Sequence, residues 1–202
     1  MTKPHSGLAV VETRWEGMDI SVRPLVEIAC GTLDKGPLAF EYEMTNSRIA
    51  FQDAIFRLSR NRQIRHVYIA CHGTRRGLVC FNGDKIKIDE LVELFGSTSF
   101  EGVHFGVCEI GSEKNLRTLL AGTRLGWCSG YSQWVDWAGS AALDLQFIHN
   151  LVANTRRKRQ RTIGDVAQAL KHQAAGACTD FGLSILSRDV PREIPTNLMD
   201  LS

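Results

Sequence analysis

The sequence predicts an α/β fold, a three-layer α/β/α sandwich with helices on both faces of a mostly parallel six-stranded sheet. Short apolar runs alternate with helix-period segments along the chain, the pattern of successive βα units feeding one sheet. Its 202 residues, 44% hydrophobic and 23% charged, suit a globular protein that buries one sizeable core. No internal repeat or low-complexity segment interrupts the alternation, so residues 1–202 are expected to form a single domain.

Six strands are expected, at residues 8 to 13, 38 to 44, 66 to 71, 103 to 108, 126 to 131 and 182 to 187. Between them, Phe51, Ala54, Ile55 and Leu58 share one helical face. So do Ala141, Leu145, Ile148 and Val152, and again Ile163, Val166, Leu170 and Ala174. Residues 76 to 89 interrupt the pattern with two strand-like pieces around Asn82-Gly83, the dipeptide that tight hairpin turns favour. Asp89 is then placed to N-cap a short helix through Leu91 and Leu94, closed by Gly96. Residues 191 to 202 read as a loosely held end.

Several function classes find little support. A formal net charge of +2 is too small to argue for nucleic acid or a membrane surface as a partner of the whole molecule. The start lacks a leader's apolar core and no apolar run reaches about 18 residues, so a cytoplasmic location is expected. Six cysteines are scattered without a C-x-x-C pair, which suggests neither a disulfide framework nor a zinc site. Most are expected to be small buried hydrophobes.

Two strand ends carry unusual chemistry. In open α/β sheets reactive groups gather beyond the carboxyl ends of the strands. The third strand runs into His72-Gly73 and the fourth into Cys108; if the two are neighbours, an imidazole and a thiol share one crevice edge. A free thiol titrates at about 8.5, so it needs such a partner to react as thiolate near neutrality. Gly73 lets the backbone approach a substrate closely, so its N–H and that of Cys108 are candidates to hold an oxyanion.

The order apolar strand, His72-Gly73, apolar strand, Cys108 resembles the caspase-like cysteine peptidases of clan CD, a group that includes caspases, metacaspases, separases and bacterial CHAT domains. The resemblance spans residues 64 to 152 and is nearest to the CHAT-domain proteases. It rests on His72-Gly73, on Cys108-Glu109-Ile110-Gly111, and on Ala121-Gly122 followed by Trp134-Val135-Asp136. It implies a caspase-like sandwich and a thiol endopeptidase with His72 and Cys108 as catalytic dyad. It further implies Gly73 and Cys108 as oxyanion donors and a protein substrate; it implies no metal or organic cofactor for catalysis, though some relatives require calcium or a binding partner to become active. Relatives of this kind act in regulatory, cell-death or antiviral defence pathways, often released by an activating protein partner.

Gly130-Tyr131-Ser132-Gln133-Trp134 resembles the stretch with which caspases line the pocket for the residue before the scissile bond. Ser129, Gly130, Tyr131, Gln133 and Asp136 are therefore candidate substrate-binding residues, with the substrate strand adding along residues 129 to 133. Caspases follow the tryptophan with an arginine; Val135-Asp136 stands here, which argues against aspartate specificity and for a basic residue. Asp136 fits equally well as N-cap of the helix that begins near Trp137.

The run Arg156-Arg157-Lys158-Arg159-Gln160-Arg161 reads first as a solvated loop, with a nucleic-acid contact, a docking site for an acidic partner or, given a basic-selective pocket, a self-cleavage site as the sharper alternatives. His104 shares a strand face with Cys108 but lies about 13 Å away, too far to act on it. His66, His149 and His172 read as structural or surface residues, and the four tryptophans as core or pocket wall. The alternative to an enzyme is a catalytically silent caspase-like binding module; retention of both His72 and Cys108 weighs against it. A flavodoxin-like phosphate binder is disfavoured because no glycine-rich loop follows the first strand.

Overall fold

A computed structural model describes residues 7–15, 20–31, 39–153, 161–188 and 196–200. The main sheet contains β1 (Gly7–Glu12), β2 (Phe40–Met44), β3 (Ile64–Ala70), β7 (Gly102–Phe105), β8 (Trp127–Tyr131), β9 (Leu183–Ser187) and β10 (Thr196–Asn197). Their order is β10-β9-β8-β7-β3-β1-β2. All six expected strands form; five run parallel, β9 is antiparallel to β8, and the two-residue β10 adds an antiparallel edge.

Side-chain alternation along the strands divides the core. Ala9, Val11, Val67, Ile69, Val103, Phe105 and Cys128 face α2 (Arg48–Ser59), α3 (Ile88–Gly96) and α4 (Glu113–Gly122). Leu8, Val10, Tyr68, Trp127, Tyr131 and Ile185 face the other way, onto α1 (Arg23–Gly31), α5 (Trp137–Val152), α6 (Ile163–Gln173) and α7 (Ala175–Asp180). The helical stripes point inward as expected: Phe51, Ala54, Ile55 and Leu58 of α2 are buried, as are Ile148 and Val152 of α5 and Ile163, Val166 and Leu170 of α6. Each fully buried aliphatic or aromatic residue of this size contributes about 1.5–3 kcal/mol.

Several boundaries differ from expectation. The strand expected to reach Cys108 ends at Phe105; Gly106 N still donates to Ile69 O (2.9 Å), and the chain then turns, with Glu109 at φ 60°. The hairpin forms with a five-residue loop closed by Cys80 N donating to Asp84 O (2.8 Å). Its strands β5 (Gly77–Val79) and β6 (Lys85–Lys87) are joined by β4 (His72–Thr74) into a second, three-stranded antiparallel sheet. α3 starts directly after β6, so Asp89 lies inside its first turn, where a negative charge complements the helix dipole, and Lys87 is the N-cap. The basic run, apart from Arg161, lies outside the described residues; Arg161 donates to Asn150 Oδ1. Part of the expected loose end pairs as β10, and the rest, except residues 198–200, lies outside the described residues. No helix among the described residues is long and apolar enough to cross a membrane.

His66, the third residue of β3, is buried beside Trp127 (5.6 Å between rings), its Nδ1 without a hydrogen-bond partner among the described residues. Burial, and then the Arg65 charge, push its imidazole down to about 3 from an ordinary 6.5. Between those two values the unfolded state holds a proton that the folded state rejects, so stability falls as pH drops through the window. The slope from this group reaches about 1.4 kcal/mol per pH unit. His66→Leu is expected to flatten the acid limb of urea-unfolding stability between about pH 6.5 and pH 3. An unchanged limb would show that His66 does not carry it.

Candidate active site

The third and fourth expected strands are neighbours. β3 and β7 pair in parallel with Ile69 opposite Phe105, and His72 and Cys108 each lie three residues beyond that pair. Cys71 breaks the path of β3, and His72 starts the second sheet opposite Val79. The ends pack tightly: a Cβ on Gly73 would stand 2.3 Å from the Cys108 carbonyl oxygen and 2.9 Å from Val107 Cγ2. Only glycine fits there. The structure thus brings His72-Gly73 and Cys108 to one sheet edge, as the sequence predicts.

The turn after Cys108 is fixed from several sides. Glu109 N donates to Gln133 O (3.0 Å), Ile110 N to Cys108 O (2.8 Å) and Gly111 N to Tyr131 O (2.8 Å). The Cys108 N–H makes no hydrogen bond among the described residues, so it is the uncommitted donor of this turn. Gly111 lies so close to β8 that a Cβ there would fall 2.1 Å from the Gly130 carbonyl carbon. Glu109 is the one non-glycine residue with positive φ among those described, a conformation that costs about 1–3 kcal/mol. Its carboxylate pairs with Arg75 (3.1 Å).

Cys108 also differs from the other cysteines. Cys30, Cys71, Cys80, Cys128 and Cys178 are buried, whereas Cys108 is half-buried. Burial pushes Cys30 up to about 12 and Cys80 up to about 11, and raises Cys71, Cys128 and Cys178 as well, disfavouring all five thiolates. The Cys108 Sγ lies 3.5 Å from Val135 N and 3.6 Å from Val135 O. Trp134, the residue before Val135, is a large apolar side chain that is 74% exposed.

His72 is exposed and meets Trp15 edge to face, with ring centroids 5.1 Å apart. Trp15 is itself held: its Nε1–H donates to Glu12 Oε1 (2.9 Å). Glu12, fully buried at the end of β1, also accepts from Val22 N (3.0 Å), Ser21 Oγ (2.6 Å) and Tyr42 OH (2.7 Å). A buried carboxyl with four donors is a rigid anchor for the indole. Trp15, expected only as core or wall, thus becomes the imidazole's neighbour, and nothing local in the sequence pairs them.

The residues expected to bind substrate divide. Ser129 and Tyr131 are completely buried on the α5 side, so their side chains do not reach a crevice. Gly130 lies against Gly111, the Gln133 side chain is exposed, and Asp136 is exposed while its Oδ1 caps Gly139 N (2.8 Å), the role of helix N-cap. Strand addition along residues 129 to 133 requires correction. β8 is paired by β7 on one edge and β9 on the other, and Ser132 N and Gln133 N donate to Gly182 O and Phe181 O. No edge remains free before Trp134.

His104 does not serve Cys108; it belongs to a buried network that the sequence did not reveal. Asp144 of α5 accepts from His104 Nε2 (2.7 Å), Tyr68 OH (2.6 Å) and Tyr131 OH (2.5 Å), and His104 Nδ1 is hydrogen-bonded with Ser129 Oγ (2.9 Å). Burial, then Asp144, raises both phenols well above their ordinary value. The one signal was an aspartate on the apolar face of a helix otherwise reading AALDLQFI. Among the described residues no group of three His, Cys, Asp or Glu is placed to hold a metal ion.

Compared with known families and with curated proteins, the sequence matches none. The fold does find likenesses among solved structures. A secreted C11 cysteine protease from Bacteroides thetaiotaomicron, in complex with an irreversible peptide inhibitor, superposes with a TM-score of 0.56 at 12% identity, over 91% of this chain and 66% of that one. An inactive zymogen C11 protease from Parabacteroides distasonis gives 0.55 at 11% identity, over 93% and 63%. The protein therefore spans just under two thirds of the length of these proteases. At such identity the likeness shows the fold: a caspase-like α/β sandwich shared with C11 cysteine proteases.

Proposed function

We propose that this protein is a cysteine endopeptidase in which Cys108 attacks a peptide carbonyl and His72 passes the proton to the leaving amine. The observation that carries this reading is the meeting of His72-Gly73 with Cys108 at the paired ends of β3 and β7, in a fold that cysteine proteases share. The uncommitted Cys108 N–H, with that of Gly73, supplies the oxyanion donors. Trp134 and Gln133, both exposed, flank the acyl side of the substrate. A basic residue before the scissile bond rests on Asp136, whose cap occupies one carboxylate oxygen. The resemblance to CHAT-domain proteases adds a cytoplasmic regulatory or defence role, a protein substrate and an activating protein partner to this proposal.

The test is labelling by acyloxymethylketone peptide probes carrying Arg, Leu or Asp, read by peptide mapping. Modification at Cys108, lost in Cys108→Ala and His72→Ala, supports the dyad, and a preference for the Arg probe supports the basic pocket. Absence of labelling with all three probes, also after limited proteolysis, would favour the silent binding module.

Trp15 acts in this reading as a positioning residue for His72. An aromatic pair contributes about 0.5–1.5 kcal/mol, so Trp15→Ala is expected to slow Cys108 labelling about tenfold. Trp15→Phe, which keeps an aromatic edge beside the imidazole, should recover part of the rate. A tenfold loss that Trp15→Phe leaves unrecovered, with a melting temperature lowered in both variants, would mean that Trp15 only supports the fold.

A further inference from the structure

The second sheet has two unlike faces. Residues paired directly across an antiparallel sheet point to the same side. Gly73, Leu78 and Ile86 form one row, whose Leu78 and Ile86 are buried in the core. The neighbouring rows, His72–Val79–Lys85 and Thr74–Gly77–Lys87, therefore face outward. Gly77 has no side chain, and the outer face is hollowed at its centre into an open cleft of 410 Å³ bordered by Arg75, Arg76, Val79, Lys85, Lys87 and Glu109.

Its charge is one-sided. Glu109, the single acidic residue on the border, is engaged by Arg75. Arg76, Lys85 and Lys87 have no carboxylate partner among the described residues. Two of the nearby acids are committed elsewhere: Asp84 accepts from Arg48 N and Asn82 Nδ2, and Glu90 accepts from Lys87 N and Arg48; Asp89 is exposed in the first turn of α3 and does not border the cleft. A concave site with three uncommitted cations over an apolar floor selects an anion carried on an extended peptide.

The proposed chemistry sets which part of a substrate lies here, and the inference rests on that reading. The imidazole delivers its proton to the leaving amine, so the substrate residues that follow the scissile bond depart over His72. The row His72–Val79–Lys85 leads from that point into the cleft, while Val135 lies against the Cys108 thiol. We infer that the cleft of the second sheet binds acidic side chains in the leaving-group segment of the substrate.

The experiment uses internally quenched peptides identical up to the scissile bond and carrying Glu-Glu, Gln-Gln or Lys-Lys shortly after it. Exposed ion pairs are individually weak, so the Glu peptide is expected to exceed the Lys peptide by about tenfold in kcat/KM at low ionic strength, the ratio falling with added salt. The double variant Lys85→Glu/Lys87→Glu should invert the order. In parallel, the Cys108→Ala protein is titrated with fluorescein-labelled leaving-group peptides and followed by anisotropy, which needs no turnover. Tighter binding of the Glu peptide, reversed by the double variant, supports the cleft even where no probe labels Cys108, an outcome that counts against the dyad alone. Labelling at Cys108 with indifferent charge preference in both assays overturns the cleft and leaves the dyad standing.

Discussion

Gly73→Ala is expected to slow acylation of Cys108 by about 100-fold, because a displacement near 1 Å at a reacting pair costs on that order. The new Cβ would stand 2.3 Å from the Cys108 carbonyl oxygen and close to Val107, and neither is the flexible tip of a side chain. Either β4 or the turn through Cys108 has to move, and each carries one member of the proposed dyad. The second-order rate of probe labelling reads this directly. A melting temperature measured on the same variant separates misplacement from unfolding: labelling at the native rate by a folded variant would show that the two ends need not be in register for the thiol to react.

That juxtaposition was legible in the sequence, since each residue terminates a recognisable apolar strand and parallel neighbours bring such ends together. The inward stripes of α2, α5 and α6 were legible for the same reason, a period that burial imposes. What failed was information that residues do not carry locally. The run GLSILS gives no strand direction, so the antiparallel β9 that closes the outer edge of β8, and with it the route for strand addition at residues 129 to 131, was invisible. The three-residue β4 is too short to alternate, so a sheet of three strands read as a hairpin of two. Asp89 resembles an N-cap, but β6 passes into α3 with no residue between them and the cap falls two positions earlier. Trp15 and His72, 57 residues apart, meet only because β1 and β3 are adjacent.

The largest effect on stability is expected at Asp144. Its carboxyl takes hydrogen bonds from Tyr68 on β3, His104 on β7 and Tyr131 on β8, so one helical residue ties three successive strands of the sheet to α5. Asp144→Ala would leave two phenol O–H groups and an imidazole N–H buried without an acceptor. Removing the common partner of a buried polar cluster costs about 3–5 kcal/mol, since each stranded donor retains its desolvation penalty. For a protein of this size that corresponds to a fall of about 10 °C in Tm, measurable by calorimetry or near-ultraviolet circular dichroism. Asp144→Asn keeps one acceptor oxygen but sets an N–H₂ against the other donors, so its loss should be smaller and still clear. The same cluster bears on the site: β7 leads to the Cys108 turn, β8 leads to Trp134 and Val135, and α5 begins at the Asp136 cap beside them. Slower Cys108 labelling in Asp144→Asn at a temperature where the variant is fully folded would show that the network holds the crevice in shape, whereas native labelling would confine its role to stability.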